Sequence, residues 1–263
     1  MKVFWKSIKD NRRGYLGWAL ALTAVAAMYS SFWPTIGKNP EMTKALDGYP
    51  QGLKEAFHLQ DLSQPENYLS SSVFGLLVPI LLAVFAIAAG TKAIAGDEEA
   101  GTLDLVLAHP VSRARLALQR LLAVGAALLF ITGLMWLAVS GLRGPSQFTE
   151  VSVDKILAVC LQLALFGLFF AALTYAIGAW TGRKAAAMGT GAAVAVLGYL
   201  ADSFLPQING LKWTEKVSPF EWYLGNDPLR NGISGTSVLI FAALSAVLIG
   251  LGTWRFSQRD IAV

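Results

Sequence analysis

GDEEAGTLDLVLAHPVSRAR, residues 96–115, is a charged and amphipathic island between two runs, residues 73–95 and 116–140, that are each apolar enough to cross a membrane. A hydrocarbon core takes about 17–25 residues of helix at about 1.5 Å each, so both flanks read as spans and the island as the loop between them. Within it Asp97, Glu98 and Glu99 open a helical pattern, and Leu103, Val106 and Leu107 then form an apolar ridge. Carboxylates there meet the positive end of a helix dipole. Pro110 ends that helix and Ser112 is placed to cap the next one, which runs through Arg113 and Arg115 into the following span. The expectation is a short, rigid helix over residues 98–107, tied at both ends to membrane helices. A force applied to it moves those helices.

The rest of the chain fits this frame. Hydrophobic residues make up 55% of the 263, and charged residues only 14%, against about a quarter in a soluble domain. No aqueous fold hides so much apolar side-chain surface. Six runs suffice to span: residues 15–33, 73–95, 116–140, 156–180, 185–205 and 237–254. Helices are expected because backbone polar groups find no water in lipid, and the runs lack the alternation of barrel strands. The fold class is therefore an all-α polytopic membrane protein, one transmembrane domain over residues 1–263. The fifth run is the least hydrophobic, rich in Gly and Ala and carrying Asp202 near its end.

With both termini on one side, that side receives Lys2, Lys6, Lys9, Arg12, Arg13, Lys92, Arg113, Arg115, Arg120, Arg183, Lys184, Arg255 and Arg259, thirteen of the 21 basic residues. The positive-inside rule makes this side cytoplasmic. The net charge of +4 is then a topology signal and not a nucleic-acid footprint, because the basic residues hug membrane boundaries instead of forming one stripe. Over residues 1–14, Lys2, Lys6, Lys9 and Arg13 recur on one helical face while Phe4, Trp5 and Ile8 gather on another. That is the pattern of an interfacial helix in contact with membrane lipid; the plainer reading is a basic tail. The first apolar run exceeds the usual h-region of a signal peptide, so an uncleaved first helix is expected. Cys160, alone and mid-span, supports neither an internal disulfide nor a metal site.

Two extracytoplasmic loops, 34–72 and 206–236, are too long for simple turns. The first holds a helical candidate at 51–59, with Leu53 and Phe57 one turn apart; the second carries Trp213, Phe220, Trp222 and Tyr223. Aromatic rings with polar edges suit the headgroup boundary. Pro219 and Pro228 imply a bent, ordered connection.

Asp, Glu, Lys and Arg are absent from the middle of every span, where an ion-coupled carrier places such groups despite a cost of about 2.5–3.5 kcal/mol each. Intrinsic ion coupling is not expected. Gln162 is the most polar deep side chain in the fourth span and reads as an inter-helix hydrogen bond. Small residues cluster in spans four and five: Gly167, Gly178 and Gly182, then Gly189, Gly191 and Gly198. The Gly178/Gly182 pair permits close helix approach, and dense packing is the plain reading of the whole set.

An integral-membrane enzyme is the competing class. His58 and His109 are the two histidines, placed on opposite sides of the membrane, so they cannot share a metal. No Ser/His/Asp grouping is apparent, and no G-x-x-x-x-G-K-[ST] loop cradles a phosphate. The chain is expected to have no catalytic, cofactor or metal site of its own.

Glu98-Glu99-Ala100-Gly101-Thr102-Leu103, followed by Leu107-Ala108-His109-Pro110-Val111-Ser112-Arg113, resembles the E-x-G-T-L…P-V-S-R signature of ABC-2 type transporter permeases. Ser218 to Tyr223, Asp227-Pro228-Leu229 and Arg259-Asp260-Ile261 resemble the same family, so the likeness runs along essentially the whole chain. It implies a permease subunit that pairs with a second permease, alike or related, in a bacterial or archaeal cell membrane. Two copies of a separate ABC ATPase subunit would bind ATP and Mg. The loop would be the coupling helix, seated in the ATPase through Glu98, Glu99, Gly101, Thr102, Leu103, Val106, Leu107, Pro110 and Arg113. A solvated linker whose charges pair with one another is the other reading, and the Gly101-Thr102-Leu103 core favours docking. In this family spans two and five line the central route, so Gly191, Ala195 and Gly198 become pathway candidates, and Trp213, Phe220, Trp222 and Tyr223 an external gate. The loop lacks the importer pattern, so an exporter of an apolar or amphipathic small molecule, a drug or antibiotic, is expected. Cargo of ions, lipids or a metalloenzyme-maturation factor, or a sensor without net transport, are the alternatives.

Overall fold

The computed structural model describes residues 2–41, 44, 48–56, 61–99 and 112–259. Among the described residues 82% are helical, none is in a strand, and six helices are long and apolar enough to cross a membrane. Their main α-helical segments are α1 (Lys2–Ser31), α2 (Leu77–Thr91, within a span of Pro65–Gly96), α3 (Arg113–Leu142), α4 (Val153–Thr181), α5 (Lys184–Ser203) and α6 (Gly235–Gln258).

Helix α4 is the central post. It packs against α2, α3, α5 and α6, while α1 lies along α3. Its most apolar stretch is 72% buried within the chain, against 17% for α5. A helix hydrophobic all round belongs in the middle, and α4 is apolar on every face. Where α2 crosses α4, Gly90 sits against backbone: a Cβ there would stand 2.3 Å from the Ala171 carbonyl oxygen. On α4 itself Gly178 likewise allows close approach, lying near Ala95 and Ala187. Buried Thr132 and Thr174 return their hydroxyl protons to carbonyls one turn back in their own helices, at 3.1 and 3.0 Å, which satisfies them without water.

Three boundaries differ from expectation. Residues 2–14 form no separate helix, because α1 is continuous from Lys2 to Ser31; no proline interrupts the run. Phe4 N–H, one of the free donors of the first turn, is met by Gln119 Oε1 of α3 at 3.2 Å. The second span begins earlier than expected, with a helix at Pro65–Ser72 whose Tyr68 and Leu69 are buried. The candidate at 51–59 is helical over Gln51–Ala56, and residues 57–60, including Phe57 and His58, lie outside the described residues.

Candidate functional site

Helical structure does not stop at the end of α2. It widens into a π-helical turn, Lys92–Gly96, and regains α geometry at Asp97–Glu99. The acidic run is therefore helical in continuity with α2, and the residues that follow it, 100–111, lie outside the described residues. Other elements hold its side chains. Glu98 forms an ion pair with the Arg259 guanidinium at the end of α6, with only 10% and 14% of the two side chains exposed. Glu99 Oε2 accepts from the Lys184 backbone N–H at 3.2 Å, at the positive start of α5. Arg113, the first residue of α3, donates to the Arg259 carbonyl at 2.6 Å.

Gly182 makes this clasp possible. It ends α4 in the left-handed region at φ +67°, and a Cβ there would lie 2.6 Å from Glu98 Oε1. Only a glycine both adopts that turn cheaply and leaves room for the carboxylate. The Gly178/Gly182 pair thus divides its labour between close packing and chain reversal. Ser112 caps α3 as expected, accepting from Arg115 N–H at 3.4 Å.

Of the residues expected to dock a partner, Glu98, Glu99 and Arg113 all take part in this clasp. Gly101, Thr102, Leu103, Val106, Leu107 and Pro110, with His109, lie outside the described residues. Sequence reasoning read Gly182 only as a packing glycine, and Lys184 and Arg259 only as basic residues of the cytoplasmic side and, for Arg259, part of a terminal motif. The Gly-Arg-Lys junction between two apolar runs was the available signal.

At the opposite end of the bundle, Ser218 caps the short helix Pro219–Leu224, accepting from Phe220 N–H at 3.0 Å, and a second short helix follows at Pro228–Asn231. Phe220 and Tyr223 are buried, their rings 5.1 and 5.4 Å from that of Phe166 on α4, whereas Trp213 is 59% exposed. Trp222 is half-buried and packs on Phe241. The four aromatic candidates are therefore not one cluster. Gln162 does form a bridge, but to the backbone of this segment: it donates to Tyr223 O at 2.7 Å and accepts from Ser234 N–H at 3.1 Å. Beside it, Asp61, Asp202, Glu221, Asp227 and Arg230 line an acidic cleft of about 540 Å³ that the sequence did not announce. Burial pushes the Asp227 carboxyl up, against the pull of Arg230.

The pathway candidates face inward. A Cβ on Gly191 would stand 2.5 Å from Thr174 Cγ2, and one on Gly198 3.0 Å from Pro219 Cδ; Ala195 is half-buried against the core. Gly189 instead has open space around it, and Ala192 and Val196 are exposed on the same helix.

An α-helical bundle with six membrane-spanning helices, carrying a charged loop clasped to its own last helix, has the form of a transporter's membrane subunit. The chain belongs to the ABC-2 family of transporter proteins, whose family model matches residues 1–261. Comparison with curated proteins gives no match. It is thus a multi-pass permease subunit of an ABC transporter, and membership carries with it association with an ABC ATPase.

Proposed function

We propose that the chain is the permease half of an ATP-driven exporter that moves an apolar or amphipathic small molecule, of the drug or antibiotic kind, out across a bacterial or archaeal cell membrane. It works as a dimer of permeases with two ATPase copies, which bind ATP and Mg and carry all the catalysis. Both termini are cytoplasmic, in keeping with the basic residues gathered at one end of the bundle. The coupling loop over residues 96–115 docks on the ATPase, with Gly101, Thr102, Leu103, Val106, Leu107 and Pro110 as its core.

The observation that carries this reading is the clasp. ATPase closure displaces the loop; Glu98, Glu99 and Arg113 pass that displacement to α5 and α6 through Arg259 and Lys184, as well as to α2 and α3 through the chain itself. The absence of charge mid-span suits an uncharged or amphipathic cargo, and the small exposed face of α5 around Gly189 and Ala192 offers it a smooth wall.

Reconstitution of the chain with its ATPase in liposomes tests the proposal. Apolar drugs are expected to stimulate ATP hydrolysis and to accumulate in inside-out vesicles. ATP hydrolysis that moves no compound, yet changes the activity of a partner kinase, would replace export with sensing.

A further inference from the structure

Helices α4 and α6 end together beside the clasp, and one charge there has no counter-charge. Arg255, in the last turn of α6, holds its guanidinium 5.8 Å from the centroid of the Trp180 ring at the end of α4. A ring face attracts a cation but brings no hydrogen-bond acceptor of carboxylate strength. Among the described residues no oxygen accepts from this guanidinium, and its Nε is buried. Glu98 is committed to Arg259, one turn further on. A charged donor left unmet in a partly buried place is costly, so the site favours an incoming anion.

Apolar surface runs from this charge toward the middle of the bundle. The α6 face that carries Arg255 continues through Leu251, Leu248 and Leu244, at steps of 4, 3 and 4 residues, and Trp180 ends a similar ridge through Leu173 and Ile177 on α4; all are exposed or half-buried. The two helices meet closely between the ridges. A Cβ on Gly252 would stand 3.0 Å from Ala176 Cα, and Tyr175 Oη lies 2.7 Å from Thr253 Oγ1. The ridges thus flank one seam, with a cation and a half-exposed indole at its charged end. A free phosphate would meet Arg255 and leave the ridges bare. A carboxylate of the ATPase would do the same. A phospholipid uses every part: phosphate on the guanidinium, indole at headgroup level, acyl chain along the ridges. We propose that the seam between α4 and α6 holds one anionic phospholipid in this way.

Native mass spectrometry of the permease with its ATPase, titrated with phosphatidylglycerol or with diacylglycerol of identical chains, tests it. Phosphatidylglycerol is expected to be retained preferentially. Arg255→Gln should weaken its retention about five-fold, with Arg255→Lys recovering part of the loss. Lys9→Gln, the same charge change at an exposed position on α1, leaves retention unchanged. A wild-type measurement stands beside these variants: phosphatidylglycerol with a diazirine in one acyl chain should label peptides covering Leu173 and Leu248 more strongly than the matching diacylglycerol probe. Equal loss in Arg255→Gln and Lys9→Gln, or equal labelling of the seam by the two probes, overturns the proposal. So does displacement of the lipid by inorganic phosphate with no dependence on acyl chains, which would reassign Arg255 to a soluble anion. Release of the ATPase from Arg255→Gln with phosphatidylglycerol still retained would instead assign the guanidinium to a protein carboxylate.

Discussion

At the scale of single residues, the ion pair of the clasp depends on two charged groups being present and one atom being absent. Removing one partner of a largely buried ion pair strands the other charge, at a cost of about 3–5 kcal/mol. Arg259→Ala is therefore expected to lower the thermal unfolding midpoint in detergent and to uncouple ATP hydrolysis from transport, with Arg259→Lys recovering some of each. The absent atom is a Cβ on Gly182. Alanine there meets the left-handed penalty of about 1–2 kcal/mol and also the Glu98 carboxylate, so Gly182→Ala should reproduce the uncoupling without altering any charge. Residue-scale probes of the route must be chosen with the same care. Leucine at Gly191 would drive into Thr174 and Ile87 and lower transport through misfolding. Leucine at Gly189 has room, so it is expected to leave expression and assembly intact while reducing drug transport, as read by vesicle uptake beside a size-exclusion profile.

At the scale of elements, the helices were legible and their junctions were not. Six apolar runs sufficed to place the spans, because lipid leaves the backbone almost no alternative to helix. The continuity of α1 through residue 14 was not legible, because polarity changes there and Gly14 weakens the local helix propensity. The π-helical turn after α2 was hidden too, since it packs against α4 and α5, which lie far off in sequence. For the same reason Glu98 and Arg259 could each be singled out but not paired. Gln162 shows how a correct local reading can miss its partner: a deep amide needs hydrogen bonds, yet nothing in α4 says that a segment some sixty residues later will supply them. Its replacement is correspondingly informative. Gln162→Leu orphans Tyr223 O and Ser234 N–H in a buried site, at about 1–3 kcal/mol for each group. The expected result is faster amide exchange across residues 219–234, with exchange in α2 and α3 unchanged.

At the scale of the whole molecule, the six helices differ in how they are held. The central post α4 is gripped on all sides, whereas α5 and α6 present most of their apolar surface outward, to lipid or to a second subunit. Loosely held helices move unless something ties them to the source of motion, and the clasp is that tie: it fastens the end of α6 to the start of α3 through Arg113 and Arg259, and the start of α5 to Glu99. The charged end of the bundle should therefore move as one body during the ATPase cycle. Spin labels at Leu118 on α3 and Trp254 on α6, both exposed, make this measurable. In the reconstituted complex their separation is expected to stay the same with and without ATP, because both helices travel with the loop. In Arg259→Ala the distribution should broaden on ATP addition while the label on α3 still shifts relative to the ATPase. A wild-type separation that changes with nucleotide would mean that α6 moves on its own and that the clasp is a resting-state lock, not a transmission.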